Sequence, residues 1–187
     1  MTLSWLKIGL ILLPLLAGCR RTDAPEVYLA PGVAFRLCPP LDAPDLFLTQ
    51  EVVFRLPGGG EEIALAALEN RGGTFTMVAS SPMGQTLFTV QVKSAGVVVD
   101  ARIPIPGDLD PRVLPALVQF SLWPAASVRQ GLGPNVALLE EGPRRSLVRK
   151  GKTVWVVTRG GEGWPPRELT LENPGLHLSA HIRTLDE

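Results

Sequence analysis

Between residues 46 and 103 apolar and polar side chains alternate along the chain. Leu46, Leu48, Val52, Phe54 and Leu56 share one face, interrupted by Gln50, while Thr49, Glu51 and Arg55 share the other with Phe47 and Val53. A period of two predicts strands with one buried face. Gly58-Gly59-Gly60 predicts a turn, Ile63 to Glu69 a second strand, and Asn70-Arg71-Gly72-Gly73 a further turn. Phe75, Met77 and Ala79 then oppose Thr74 and Thr76. After Pro82-Met83-Gly84, Phe88, Val90 and Val92 oppose Gln85, Thr89, Gln91 and Lys93. Val97, Val99, Ala101 and Ile103 oppose Asp100 and Arg102. The pattern is a five-strand antiparallel meander wetted on one side.

The period changes after residue 107. Asp108-Leu109-Asp110-Pro111 supplies capping residues and a proline suited to a first helical turn. Val113, Leu114, Leu117, Val118 and Phe120 follow at helical spacing, predicting one helix over 112–123. Pro115 is tolerated only within its first turn, and Trp123-Pro124 ends it. Strands resume near Val136. Lys150-Gly151 predicts a hairpin turn between Arg145–Arg149 and Thr153–Thr158, and Leu169 and Leu171 mark another strand. In the last strand Leu176, Leu178, Ala180 and Ile182 oppose His177, Ser179, His181 and Arg183. No repeat and no second domain is visible, so residues 46–187 read as one mainly β domain. One apolar helix is too small to cover so many one-sided strands. Either the sheet curls on itself or a ligand fills the gap.

The first residues have a different character. Lys7 precedes an apolar run from Ile8 to Ala17, of signal-peptide length and too short to span a bilayer of ~30 Å, which needs roughly 20 residues. Leu16-Ala17-Gly18-Cys19 resembles the lipobox of bacterial lipoproteins. Residues 1–18 are therefore expected to be a lipoprotein signal peptide, with Cys19 the site of lipid attachment. Two or three acyl chains, palmitate among them, hold a protein firmly at ~0.8 kcal/mol per buried methylene. By resemblance to lipoprotein sorting in Gram-negative bacteria, Arg20 in place of aspartate directs the protein to the periplasmic face of the outer membrane. Pro25, Pro31, Pro39, Pro40 and Pro44 predict that 19–45 is largely an irregular tether, with room for a short strand at Val33 to Leu37.

Charge and composition narrow the function classes. Loss of Lys7 leaves 17 basic and 18 acidic residues, which excludes the strongly basic surface a nucleic-acid partner requires. Glycine and proline, 37 of 187 residues, favour many turns over long helices. With Cys19 acylated, Cys38 lacks a disulfide partner and is read as a bystander thiol.

No catalytic constellation emerges, and no enzyme, metal or cofactor is expected. Gly151-Lys152-Thr153 mimics the end of a phosphate-binding loop, but Ser146 stands where the first glycine must be. No Gly-x-Ser-x-Gly elbow occurs. His177 and His181 on one strand would lie about 13 Å apart, too far to share an ion. Glu61-Glu62 and Glu140-Glu141 point to opposite faces if extended, and read as solvated surface. Arg144, Arg145, Arg149, Lys150 and Lys152 form the one basic run. They are candidates for contact with a lipid headgroup or an acidic partner, or a solvated hairpin.

Gly84-Gln85-Thr86-Leu87-Phe88, Gln119-Phe120-Ser121-Leu122-Trp123-Pro124, Arg145-Ser146-Leu147 and Asn173 before a C-terminal strand resemble, in order across 46–184, one protein family. It is a family of uncharacterised Gram-negative lipoproteins encoded beside aryl-polyene pigment clusters. That family is similar to the outer-membrane lipoprotein receptor of the lipoprotein-localisation pathway. Lys93-Ser94-Ala95-Gly96 departs from the aspartate-glycine turn expected there. The resemblance implies an open antiparallel β half-barrel, one or two helices covering its mouth, and a lipid-sized cavity. Phe54, Phe75, Met77, Phe88, Val90, Phe120 and Trp123 would line that cavity; in a closed-core alternative the same side chains pack against one another. The implied function is binding of a lipid or acyl moiety and help with its delivery or insertion at the outer membrane. The cargo would be a lipid, a lipoprotein or a polyene-lipid, and a periplasmic carrier the partner. The rival reading is a structural or accessory lipoprotein of an envelope complex, with a filled core and no ligand.

Overall fold

The computed structural model describes residues 25–102 and 110–185. The signal peptide, Cys19, Arg20, Ile103 and the Asp108 cap lie outside them. Ten strands form one antiparallel sheet: β3 (Leu46–Arg55), β4 (Glu61–Arg71), β5 (Thr74–Ser80), β6 (Thr86–Lys93), β7 (Gly96–Ala101), β8 (Val136–Glu141), β9 (Arg144–Arg149), β10 (Lys152–Gly160), β11 (Glu168–Asn173) and β12 (Leu178–Leu185). Their order is β7-β6-β5-β4-β3-β12-β11-β10-β9-β8, so the last strand of the chain pairs with the first of the meander and joins the two halves. β7 and β8 are left as unpaired edges, and the sheet does not close into a barrel.

The predicted alternation sets the register. Leu48 faces Leu68, Leu68 faces Met77, and Met77 faces Val90 across successive strands. On the far side of the junction Val52 faces Ile182 and Ile182 faces Leu169. One continuous apolar face results, and how far it curls can be read from a single residue. Trp123 meets the Phe75 ring of β5 edge-on, with centroids 5.2 Å apart, while its carbonyl accepts from Arg145 of β9 at 2.8 Å. β5 and β9 stand six intervals apart in the strand order, about 29 Å in a flat sheet at ~4.8 Å per strand. Only a strongly curved sheet brings both to one residue.

Two helices enter the concave side. α1 (Val113–Leu122) carries Pro115 within its first turn, where no intrahelical N–H is lost. Just before it, Asp110 accepts from the backbone N–H of Arg112 at 3.0 Å and pairs with its guanidinium, which holds the Asp110 carboxyl below the usual range. Trp123-Pro124 ends α1 as expected, but the chain does not then stay irregular. α2 (Ala125–Gly131) follows at once, too short to show a periodicity and burying only Val128.

The expected tether differs most from the structure. Residues 26–36 form a hairpin, β1 (Glu26–Ala30) and β2 (Val33–Arg36), whose alternation buries Val27, Leu29, Val33 and Phe35. Leu37 and Cys38 continue the buried run. The indole N–H of Trp155 donates to the Leu29 carbonyl at 2.7 Å, and Arg149 donates to Pro31 at 2.9 Å. Phe35 bridges to Leu132, and a Cβ on Gly131 would collide with the Arg36 carbonyl and the Phe35 ring, so α2 and β2 touch at backbone distance. After β2, Gln119 of α1 clasps Cys38: the Cys38 N–H donates to Oε1 at 2.7 Å and Nε2 donates to the Cys38 carbonyl at 3.0 Å. The half-barrel therefore fills one part of its own interior with the segment that precedes it. The five prolines had pointed to irregular backbone, yet Pro25 and Pro31 flank β1, and Pro39, Pro40 and Pro44 follow the hairpin. None stands inside a strand.

Candidate functional site

The hairpin leaves a second part of the concave face to α1 alone, and a cavity of about 60 Å³ remains there. Val52 and Phe54 of β3, Ala66 and Leu68 of β4, Met77 of β5, Leu169 and Leu171 of β11, and Ala180 and Ile182 of β12 form its floor. Leu114, Leu117, Val118 and Leu122 of α1 form its roof. The register explains why these converge: Phe54 faces Ala180, Ala180 faces Leu171, and Val52 faces Ile182. Gln50 and Ser121 are the polar residues of the wall. Gln50 donates to the Thr184 hydroxyl at 3.4 Å, and the Ser121 hydroxyl donates to the Leu117 carbonyl within the helix at 2.8 Å.

The roof is fastened at its C-terminal end. The last carbonyls of a helix have no partner within it, and here arginines from the sheet supply one. Arg145 of β9 donates through Nη1 to the carbonyls of Phe120 and Trp123, both at 2.8 Å. Its Nε and Nη2 reach Glu140 of β8 at 2.9 and 2.7 Å. Arg159 of β10 donates to the Ser121 carbonyl at 3.2 and 2.9 Å. Cationic groups at a helix C-terminus also favour its dipole. Burial lowers the pKa of both guanidinium groups, and for Arg159 the charge of Arg145 adds to that.

The predicted cavity residues divide. Phe54 and Met77 are on the wall. Phe75, Phe120 and Trp123 are fully buried in the packed core shared with the hairpin. Phe88 and Val90 pack with Ala79 in a smaller cluster capped by Leu114. Sequence reasoning missed the β11 and β12 floor, Leu169, Leu171, Ala180 and Ile182, because it sought aromatic and Met side chains. The alternation in those strands was the available signal.

The basic run divides as well. Arg145 is 3% exposed and turned inwards, and Arg149 is engaged with Pro31, while Arg144, Lys150 and Lys152 are exposed. Glu140, expected on solvated surface with Glu141, is the partner of Arg145 and lies 3.6 Å from Arg129. His177 sits in the turn before β12 with φ of 51°, not on the strand with His181. Asn173 builds that turn by accepting from the N–H groups of Gly175 and Leu176. Cys38 is buried, with its thiol pushed up to about 12 by burial and by Asp42, and donates to the Ser127 carbonyl.

Residues 48–186 match a family described as "Protein of unknown function (DUF3261)", a span that begins in β3 and runs through the other nine strands of the sheet. No curated protein matches the sequence. Among solved structures, a LolA superfamily protein from Nitrosomonas europaea is similar, with 7% sequence identity and a TM-score of 0.47, covering 78% of this chain and 85% of that one.

Proposed function

The chain belongs to the DUF3261 family through the region that builds its sheet, and we propose that this region binds a lipid or acyl moiety. In this reading the protein is a lipoprotein, held by acyl chains on Cys19 at the periplasmic face of the outer membrane. There it assists the delivery or insertion of its cargo, a lipid, a lipoprotein or a polyene-lipid received from a periplasmic carrier. The observation that carries the reading is the cavity: an apolar floor from five strands under a helix that arginines of the sheet hold at its C-terminal end. Polar groups are few and sit at one end, as in sites that orient a mostly apolar ligand.

The size of the cavity constrains the mechanism. Roughly 150 Å³ admits benzene, so about 60 Å³ does not accommodate a whole acyl chain. α1 must swing outwards to admit one, and the closed form is the unloaded state. The same small volume, with the hairpin filling the other half, favours one rival: an accessory protein of an envelope complex, with a filled core.

Two measurements test the proposal. Cys19→Ser in the full chain should abolish incorporation of a fatty-acid analogue and release the protein from membranes; retention after a carbonate wash refutes the anchor. For the cavity, the full-length chain in phosphatidylcholine nanodiscs is irradiated with a diazirine-bearing palmitate, and labelled peptides are mapped by mass spectrometry. Label should fall on α1 and β12, and Ala180→Phe, which fills the space between Phe54 and Leu171, should remove most of it while the protein stays folded. A wild type without label at micromolar probe, in a folded sample, gives the place to the filled-core accessory protein.

A further inference from the structure

The two ends of the cavity differ chemically. At one end Phe54 faces Ala180 and Ala180 faces Leu171, and these wall groups are hydrocarbon. At the other, Val52 and Ile182 lead to Gln50, Thr184 and Ser121. Arg159 stands at that second end. It is the cross-strand partner of Leu169, which lines the floor, and its Nε and Nη2 donate to the carbonyl of Ser121, which lines the roof.

Arg159 also has capacity to spare. The two N–H groups of its Nη1 have no protein acceptor among the described residues, and it forms no ion pair among them. The nearby carboxylate, Glu140, is taken by Arg145 at 2.7 Å and approached by Arg129 at 3.6 Å. Three guanidinium groups thus gather around one carboxylate. Arg145 spends its donors on Glu140 and on two carbonyls, and it is buried; Arg159 is half-exposed beside the cavity. The local charge is in excess by cations and is placed where a ligand head would lie.

We propose that the cavity selects amphiphiles with an anionic head, a carboxylate or a phosphate ester, whose head is bound by Arg159 while the tail runs under α1 towards Phe54 and Ala180. This rests on the lipid-binding reading and adds the class of ligand. A guanidinium offers two parallel N–H bonds to either anion, charge-assisted and about twice as strong as neutral ones. Such a head would also compensate the repulsion between Arg159 and Arg145. A neutral alcohol or ester of the same chain length makes the apolar contacts and forgoes this one.

The test compares three photoactivatable C16 probes at equal concentration and about pH 8, where both acids are ionised: palmitate, hexadecyl phosphate and hexadecanol. Each is equilibrated with the full-length chain in phosphatidylcholine nanodiscs, and label is counted on α1 and β12 peptides. The two anions should label at least about tenfold more than the alcohol, the scale of one charge-assisted hydrogen bond. Arg159→Gln keeps a donor for the Ser121 carbonyl but not the charge; it should bring the anions down to the level of the alcohol measured on the same variant. Arg159→Lys keeps the charge and should keep most of the preference, even if Arg159→Gln loosens the helix. Palmitate preferred over the phosphate points to free fatty acids, and the reverse to phospholipid heads. Equal labelling by all three in the wild type overturns the proposal and leaves lipid binding intact, as does a preference that survives Arg159→Gln. Absence of label from every probe overturns both.

Discussion

Replacing Phe35 by alanine is expected to destabilise the protein by about 3–5 kcal/mol, the usual cost of removing a buried aromatic ring from a packed core. Phe35 is 0% exposed, lies on β2, and meets Leu132 beyond α2. Truncation leaves a void between the hairpin, α2 and the sheet. Those walls are themselves fixed, by Trp155 on Leu29 and by the Gln119 clasp on Cys38, so collapse into the void is restricted. Urea denaturation of the wild type and the variant, followed by tryptophan fluorescence, gives the difference directly. An exposed control on the same hairpin, Tyr28→Ala, should stay within about 0.5 kcal/mol. If Phe35→Ala behaves like Tyr28→Ala, residues 25–38 are only a tether and the filled half of the interior does not exist.

That contrast shows what the sequence made legible. The strands at 46–56, 73–79 and 84–93 could be read with their faces, because alternation persists along them and turns punctuate it. Ile63–Glu69 could be read only as a strand, and at the β7 edge the expected apolar face leaves Val99 and Ala101 exposed. The helix over 112–123 could be read to within a residue or so, because Pro115 and Pro124 fix its start and end. α2 spans seven residues and has one buried side chain, too little for any period to register. The β1–β2 hairpin was hidden by its prolines, although Val27 and Leu29, then Val33, Phe35 and Leu37, carry the same alternation as the main sheet. The open antiparallel half-barrel was foreseen from the family resemblance and agrees with the sheet observed. The wall of the cavity was not foreseen in full. Which apolar face meets a helix, and which meets the hairpin, depends on the curl of the sheet, and periodicity along one strand carries no information about curl. The arginine fastening was invisible for the same reason: β9 puts Arg144 and Arg145 on opposite faces, and only the fold says which face is inside.

Arg145→Met should cost about 3–5 kcal/mol, the range for removing one partner from a buried, hydrogen-bonded charge pair. The guanidinium is 3% exposed and joins three elements: Glu140 on β8, and the Phe120 and Trp123 carbonyls that end α1. Methionine fills much of the volume, so the loss is chiefly electrostatic: a carboxylate left with only the longer Arg129 contact at 3.6 Å, and two carbonyls without donors. Glu140 is about one-third exposed, so water recovers part of its solvation, which places the expected value towards the lower end. Arg145→Lys should recover little, because a single ammonium on a flexible stem cannot span a carboxylate and two carbonyls in the fixed geometry of the fork. Arg144→Met, next in the chain but facing outwards, should stay within about 0.5 kcal/mol. The double variant Arg145→Met/Glu140→Leu removes the weakly paired carboxylate and should be more stable than Arg145→Met alone, though still below wild type because the Phe120 and Trp123 carbonyls remain without their donor. Denaturation midpoints for the four variants decide the matter. Should Arg145→Met match Arg144→Met, the fastening of α1 contributes nothing to stability, and the roof of the cavity is held by its apolar contacts alone.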